Sequence, residues 1–400
     1  MKRLLLASVT ITALCAPVAL PAQSAAPAAS IRDIDGNLFV LVVRGDGSVM
    51  AWGRAPGGAL TVPTPIALPG PAQHVAVGES SAYVLLEDGT VVAWGSNDEG
   101  QLGNGPRGSN KPLGTYPKAS ETPVRVTGLT DVVAIEAGRK HALALRKDGT
   151  VWAWGVREDG AIGDGGGTTP GNARVLSAAA PFAVRGLAGI TQIASGQTHN
   201  LALTGDGKVM SWGSNTTGEL GVGTRETGWT PAEVAGLTDI VAIAAGSGQG
   251  TYGVSAAVRR DGTLWVWGSG SSAQMGNGVR NPTPDEPGGR NLLPLQVKGI
   301  ASVKAASVGA GHIAALLHDG SVRAWGMNGY GELGLGQTSG YEVVPVKVPG
   351  ISNVATLRLG GYNSYAIKAD GSLWIWGYAL SSGRGILSRN LATPTRLDLP

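Results

Sequence analysis

The sequence predicts an all-β fold, a seven-bladed β-propeller of four-stranded antiparallel blades, and three observations carry the prediction. Asp-Gly recurs at 46, 88, 148, 206, 261, 319 and 370, and each copy is followed six residues after the Asp by Trp-Gly, at Trp52, Trp94, Trp154, Trp212, Trp267, Trp325 and Trp376. The copies stand 42, 60, 58, 55, 58 and 51 residues apart, too long for a helical-pair repeat and the right length for four short strands with loops. The chain is rich in turn formers and poor in large aromatics, with 64 Gly among 400 residues and only two Phe.

One repeat, residues 128 to 184, shows how the strands follow one another. Val132-Val133-Ala134-Ile135 runs to Gly138, and His141 to Leu145 alternates small and large side chains as a buried strand does. Asp148-Gly149, both tolerant of positive φ, then reads as a two-residue hairpin into Thr150 to Trp154. A glycine-rich stretch and a loop lead to a fourth strand opened by proline. Pro65, Pro123, Pro181, Pro231, Pro294, Pro345 and Pro394 all hold this place. Proline donates nothing to a ladder, so the fourth strand is expected at the outer rim, where it also blunts the exposed edge. Small residues at the end of the first strand, as in Ala194-Ser195-Gly196, suit the crowded inner wall of a radial array. Ile31 to Gly36 serves as the first strand of the ring and Pro394 to Leu399 as its last rim strand. The unbroken repeat makes residues 29–400 one domain.

These motifs resemble the repeat family of the regulator of chromosome condensation. The family pattern of a Gly-x-x-His turn, an Asp-Gly hairpin, Trp-Gly and Asn-x-x-Gly-x-Leu-Gly is met by Gly138 to His141, Gly196 to His199 and Gly309 to His312, and by Gly95 to Gly103, Gly213 to Gly221 and Gly326 to Gly334. Repeats one and seven depart after Trp-Gly, and repeat five has an enlarged turn, Ser247 to Tyr252. The resemblance implies a propeller. Across the family it also implies several activities: nucleotide exchange on a nuclear GTPase with chromatin binding, ultraviolet perception in plants, and, in secreted bacterial members, inhibition of β-lactamases. Fold alone does not choose among them.

Charge and targeting signals narrow the choice. Met1-Lys2-Arg3, the apolar Leu4 to Leu14 and the small-residue tail from Pro17 to Ser30 form a secretory signal, residues 1–28, and imply an exported chain, periplasmic or extracellular. The only cysteine, Cys15, falls inside it, and Leu14 before it is too bulky for a lipidation site. Net charge is +3 with no run of Lys or Arg, so neither nucleic acid nor stable membrane insertion is expected.

Catalytic chemistry is not expected either. His141, His199 and His312 share one repeated position, which predicts a ring nitrogen bonded to backbone inside the blade, while His74 and His318 have no evident partner. The seven hairpin Asp are equivalent by symmetry, unlike a catalytic pair in two different environments. Asp33-x-Asp35-Gly36 lacks the later ligands of a calcium loop and reads as a turn. No cofactor or metal is expected. The reading that follows is a monomeric, non-enzymatic scaffold for a partner protein, with an exported glycan- or peptide-acting enzyme, or an inhibitor of a secreted enzyme such as a β-lactamase, as alternatives.

The partner face follows from topology. In an antiparallel four-stranded blade the loops between strands one and two and between strands three and four leave at one end, and the long insertions 104–121, 164–180, 223–230 and 277–293 all fall there. Aromatic and basic side chains on that face are the expected anchors: Tyr116, Arg139, Lys140, Arg225, Trp229, Tyr252, Arg290, Tyr330 and Tyr362. For the leader, mass spectrometry of exported protein is expected to show a chain beginning near residue 29; an intact Met1 on exported material would contradict it.

Overall fold

The computed structural model describes residues 30–55, 58–105, 110–112, 119–166, 176–247, 252–280, 289–379, 383 and 389–400. Residues 1–28, read as a leader, lie outside them together with Cys15, as does Tyr116. The described chain forms seven antiparallel sheets, each built on four strands in the order of the sequence, with a fifth strand added to one of them. Blade 1 consists of Ile31–Gly36, Phe39–Arg44, Val49–Ala55 and Gly58–Ile66; blade 7 of Val354–Leu359, Asn363–Lys368, Leu373–Gly377 and Leu391–Leu397. No strand is exchanged between the ends of the described chain.

Closure instead repeats a bond used all round the ring. The first amide of each inner strand donates to the carbonyl of the hairpin glycine in the preceding blade: Ala72 to Gly47, Val132 to Gly89, Ile190 to Gly149, Ile240 to Gly207, Val303 to Gly262 and Val354 to Gly320. Ile31 donates in the same way to Gly371, at 2.9 Å, and joins blade 1 to blade 7.

The hairpin differs from the two-residue form. Arg146 pairs with Thr150, and the Gly149 amide donates to the Arg146 carbonyl at 2.9 Å. Only the glycine takes positive φ (79° at Gly149); Asp148 does not. The loop is therefore three residues, a turn closed by a left-handed glycine. The Asp side chain fastens this turn. Its Oδ1 accepts both the amide and the hydroxyl of the residue two ahead, Thr150 at 3.0 and 2.6 Å. This explains why Ser or Thr follows Asp-Gly in six copies. In the seventh, Thr204 supplies the hydroxyl to Asp206.

The rim strands start ahead of their prolines rather than at them, Gly58 before Pro65 and Arg290 before Pro294. Insertion 104–121 is not wholly loop: Asn110–Pro112 pairs antiparallel with the rim strand Leu176–Ala183 of the next blade as a fifth strand.

The repeat Trp sit between blades. Trp154 lies against Gly103 and Val126 of the preceding blade, where a Cβ on Gly103 would stand 2.9 Å from the indole. Trp212, Trp267, Trp325, Trp376 and Trp52 meet Gly163, Gly221, Gly276, Gly334 and Gly383 in the same way, and all six indoles are fully buried. Three of them also donate to the carbonyl two residues before that glycine, Trp154 to Gln101, Trp267 to Glu219 and Trp325 to Gln274, each at 2.8 Å. The second tryptophans, Trp152, Trp265 and Trp374, are stacked under Arg146, Arg259 and Lys368.

The Asn-x-x-Gly-x-Leu-Gly turn that carries the glycine is clamped from within. The Asn side-chain carbonyl accepts the Leu amide at 3.0 Å in Asn97–Leu102, Asn215–Leu220 and Asn328–Leu333. Trp154→Ala and Trp212→Ala are each expected to lower stability by roughly 3–5 kcal/mol. Trp154→Ala should cost about 1 kcal/mol more, because it also removes the indole hydrogen bond to the Gln101 carbonyl, a bond the Trp212 indole does not make. Denaturant unfolding of both variants checks this.

Candidate functional site

The inner strands, Ile31–Gly36, Ala72–Val77, Val132–Ala137, Ile190–Ser195, Ile240–Ser247, Val303–Val308 and Val354–Leu359, surround a central cavity of about 550 Å³. It reaches the turns between strands one and two, where Asn37, Gly78, Arg139, Gln197 and Tyr362 line it. Those turns are linked in part by backbone bonds, Glu79 N–H to Arg139, Arg139 N–H to Gln197 and Ala310 N–H to Gly361.

An inner strand faces the cavity with unpaired backbone, and side chains of the preceding blade satisfy much of it. Asp33 Oδ2 accepts the Val75 amide at 3.0 Å and Asp35 Oδ2 the Val77 amide at 2.8 Å. Gln192 does the same for Ile243, with both its amide oxygen and nitrogen, and Ser307 Oγ accepts from Leu359. Asp33 and Asp35 are thus part of an inner strand and bond across a blade boundary; they do not form the turn expected from their sequence. His74, which had no evident partner, holds Asp33 with Nδ1 at 2.8 Å from Oδ2.

The shared histidine position is also an inter-blade device, and this corrects the expectation of a backbone bond inside the blade. His141 Nε2 lies 2.9 Å from Asn200 Oδ1 and 3.2 Å from Ser195 Oγ. His199 Nε2 lies 3.0 Å from Ser255 Oγ, and His312 Nε2 3.1 Å from Ser364 Oγ. Every partner stands in a neighbouring blade. Asn200, Ser255 and Ser364 in turn donate to the carbonyls of Ala161, Glu219 and Glu332, in the turns that carry the inter-blade glycines. Burial pushes the pKa of His141 down to about 4 and those of His199 and His312 to about 3, so all three are neutral and none is a base in reach of solvent.

The expected anchors separate into groups. Tyr330, between strands three and four of blade 6, and Tyr362, between strands one and two of blade 7, come together with ring centroids 5.0 Å apart. Tyr378, absent from the expected anchors, completes a triangle at 5.0 Å from Tyr330 and 6.3 Å from Tyr362. Its signal was present: it stands where repeat seven departs from the pattern. Tyr330 is 37% exposed and the other two are half-buried.

Arg139 and Lys140 are on this face but engaged, Arg139 with Glu158 at 3.3 Å and Lys140 with Glu99 at 2.6 Å. Arg225 and Tyr252 are exposed on the same face, away from the triangle in blades 4 and 5. Trp229 and Arg290 are not loop residues, since Gly228–Glu233 and Arg290–Gln296 are rim strands. Trp229 is half-buried, and its carbonyl accepts the Gly165 amide of the preceding blade.

Around the cavity the charges gather in adjoining blades: Arg358 in blade 7, Asp35 in blade 1, His74 in blade 2 and Glu136 in blade 3. Blades 4 to 6 present Gln192, Ala194, Ala242, Ala244, Ala305, Ala306 and Ser307. Among the described residues no three His, Cys, Asp or Glu side chains stand together so as to hold a metal ion. Enclosure in the wall raises Glu136 to about 7, although Arg358 opposes the rise, and raises Asp35 to about 6 against the bond from Val77. His74 is also raised, desolvation being overcome by Asp33.

Comparison with known proteins identifies the scaffold. The RCC1-like domain family matches residues 14–288, and the regulator of chromosome condensation (RCC1) repeat matches 261–316 and 319–367. The chain is 29% identical over 313 residues to the ultraviolet-B receptor UVR8 of Arabidopsis thaliana, covering 76% of this chain and 64% of the receptor. It is 33% identical over 265 residues to the mitochondrial RCC1 domain-containing protein RUG3 of the same plant, covering 62% and 56%. The matches thus span less than two thirds of the length of these relatives. The crystal structure of Prp20p from Saccharomyces cerevisiae, described with its binding to Gsp1p and histones, superposes with a TM-score of 0.66 at 25% identity, over 82% of this chain and 79% of that one.

The cavity groups set a pH dependence. A carboxyl whose folded pKa is raised makes the folded state the stronger proton binder between the two values, so stability falls as pH rises through that window. Glu136 acts from its ordinary value to about 7 and Asp35 from its ordinary value to about 6. His74 adds to the fall, its contribution being lost as pH rises past its raised pKa. Over the same interval His141, His199 and His312, held neutral in the fold, work the other way because the unfolded chain protonates them, so the carboxyl is read by difference. The stability of Glu136→Gln relative to the unsubstituted protein is expected to rise from about pH 5 to pH 7; a difference that stays constant or falls would contradict the assignment. With its seven copies of the hairpin and its inter-blade tryptophans, the chain belongs to the RCC1-like repeat family.

Proposed function

We propose that the chain is an exported, non-enzymatic scaffold that binds a partner protein through the face carrying the strand one–two and strand three–four loops. The observation that carries this reading is the triangle of Tyr330, Tyr362 and Tyr378, an aromatic cluster set on rigid blades at the one face where loop length varies. Tyrosine is an effective anchor because it offers a large amphipathic contact with few rotatable bonds. Leu38 and Tyr252, both 43% exposed, extend the apolar character of the same face. The opposite face carries short hairpins whose Asp side chains are tied to their own turns.

Binding by relatives supports the class of function, since the Prp20p structure is described with its binding to Gsp1p and histones. Export rests on the leader read from residues 1–28, and the monomeric state on a ring that closes within one chain.

A photoreactive residue at 330 is expected to cross-link a protein of the exported fraction, and one at 88 or 148 is not. With that protein purified, Tyr330→Ala with Tyr362→Ala should weaken binding at least tenfold, or about 1.4 kcal/mol, while Asp88→Ser with Asp148→Ser leaves it within about twofold. Loss confined to the hairpin pair would reverse the assignment.

A further inference from the structure

We infer that the central cavity is a binding site for a small zwitterion with an aliphatic body, such as a short peptide, its ammonium held at Glu136 and its carboxylate at Arg358. The inference is independent of the partner face. It starts from the repeat. The fifth position of the inner strands has a structural use in blades 1 and 6, where Asp35 and Ser307 accept an amide of the next blade. Glu136 in blade 3 and Arg358 in blade 7 hold that same position, yet neither side chain forms a hydrogen bond or a contact ion pair with another described residue. Both line the cavity and both are in reach of solvent.

Three steps around a ring of seven separate blades 7 and 3, so the two groups face each other from nearly opposite walls. Asp33, Glu136 and Asp35 attract Arg358 at a distance, none of them in contact with it. A carboxyl and a guanidinium without contact partners on opposite sides of a lumen fit a ligand with a charge at each end. A simple amine would leave Arg358 unanswered, and a simple carboxylate would leave Glu136. Between the two charged walls Ala242, Ala244, Ala305 and Ala306 offer a smooth apolar surface. At about 550 Å³ the cavity is in the size range of small-molecule sites. Because Arg358, Asp35, His74 and Asp33 surround Glu136 electrostatically and enclosure favours its protonated form, an arriving ammonium would drive a proton off it.

The dipeptide Ala-Leu is the probe, titrated calorimetrically into the full mature chain at pH 7. Saturable binding is expected, with proton release visible as a dependence of the heat on the buffer. Acetylating the amine or amidating the carboxyl should each weaken binding at least tenfold. Glu136→Gln should weaken Ala-Leu to the same degree but leave the acetylated peptide unaffected, and Arg358→Gln should stand in that relation to the amide. The peptide modifications test the wild-type protein, so the result does not depend on either variant folding. No saturable heat with Ala-Leu up to about 10 mM overturns the proposal, a concentration that would detect even millimolar affinity. Equal binding of the acetylated or amidated peptide also overturns it, as does binding of a plain alkylamine that Arg358→Gln leaves unchanged, which would mean a cation site.

Discussion

A four-stranded blade has two edges, and only the outer one can be left to water and proline. The inner edge meets six others around a narrow axis, where its amides and carbonyls must find partners without another strand to pair with. Much of the ring can be understood from that constraint. The first amide of every inner strand is met by a hairpin carbonyl of the blade before it. Further along, Asp33, Asp35, Gln192 and Ser307 reach across to amides of the next strand. Higher still, His141, His199 and His312 tie side chains of the neighbouring blade to turns that hold the inter-blade glycines. Each blade is thus completed by its neighbour, and closure from Gly371 to Ile31 leaves no blade without one.

This also separates what was legible in the sequence from what was not. The hairpin, the Trp-Gly pair and the rim proline are properties of one blade, set by local backbone chemistry, and they declared the fold and its strand order through repetition. The roles of His141, Asp33 and His74 depend on how strand one of a blade is offset from strand one of the next. No spacing within a repeat contains that offset. Hence His141 reads as a local backbone binder, whereas its ring meets Asn200, 59 residues away. Trp229 and Arg290 were misplaced for a simpler reason. The proline marks a residue inside the rim strand rather than its start, so residues ahead of it read as loop.

On the loop face, the same comparison between local and distant chemistry sorts the anchors. Arg139 and Lys140 look available in the sequence because nothing near them is paired with them by spacing, but the folded chain brings Glu158 and Glu99 to them. A partner would have to displace those pairs, and the exchange of one exposed ion pair for another yields little. Tyr330, Tyr362 and Tyr378 lose no such ion pair on binding. Their rings already touch one another, which limits the conformational freedom a partner must remove.

Sevenfold repetition supplies a further criterion that a single-copy fold lacks. A residue needed for the scaffold recurs, or is replaced by one able to make the same bond, as Asp35 and Ser307 do at one strand position and Asn200, Ser255 and Ser364 at another. A polar residue that occupies such a position without making its bond adds desolvation cost and returns only charge interactions at a distance. Glu136 and Arg358 are of this kind. The scaffold would be served as well by the alanines that blades 2, 4 and 5 place there, at Ala76, Ala194 and Ala244. Opposed charges retained across a lumen at such a cost require a use outside the fold, and a ligand that meets both supplies one.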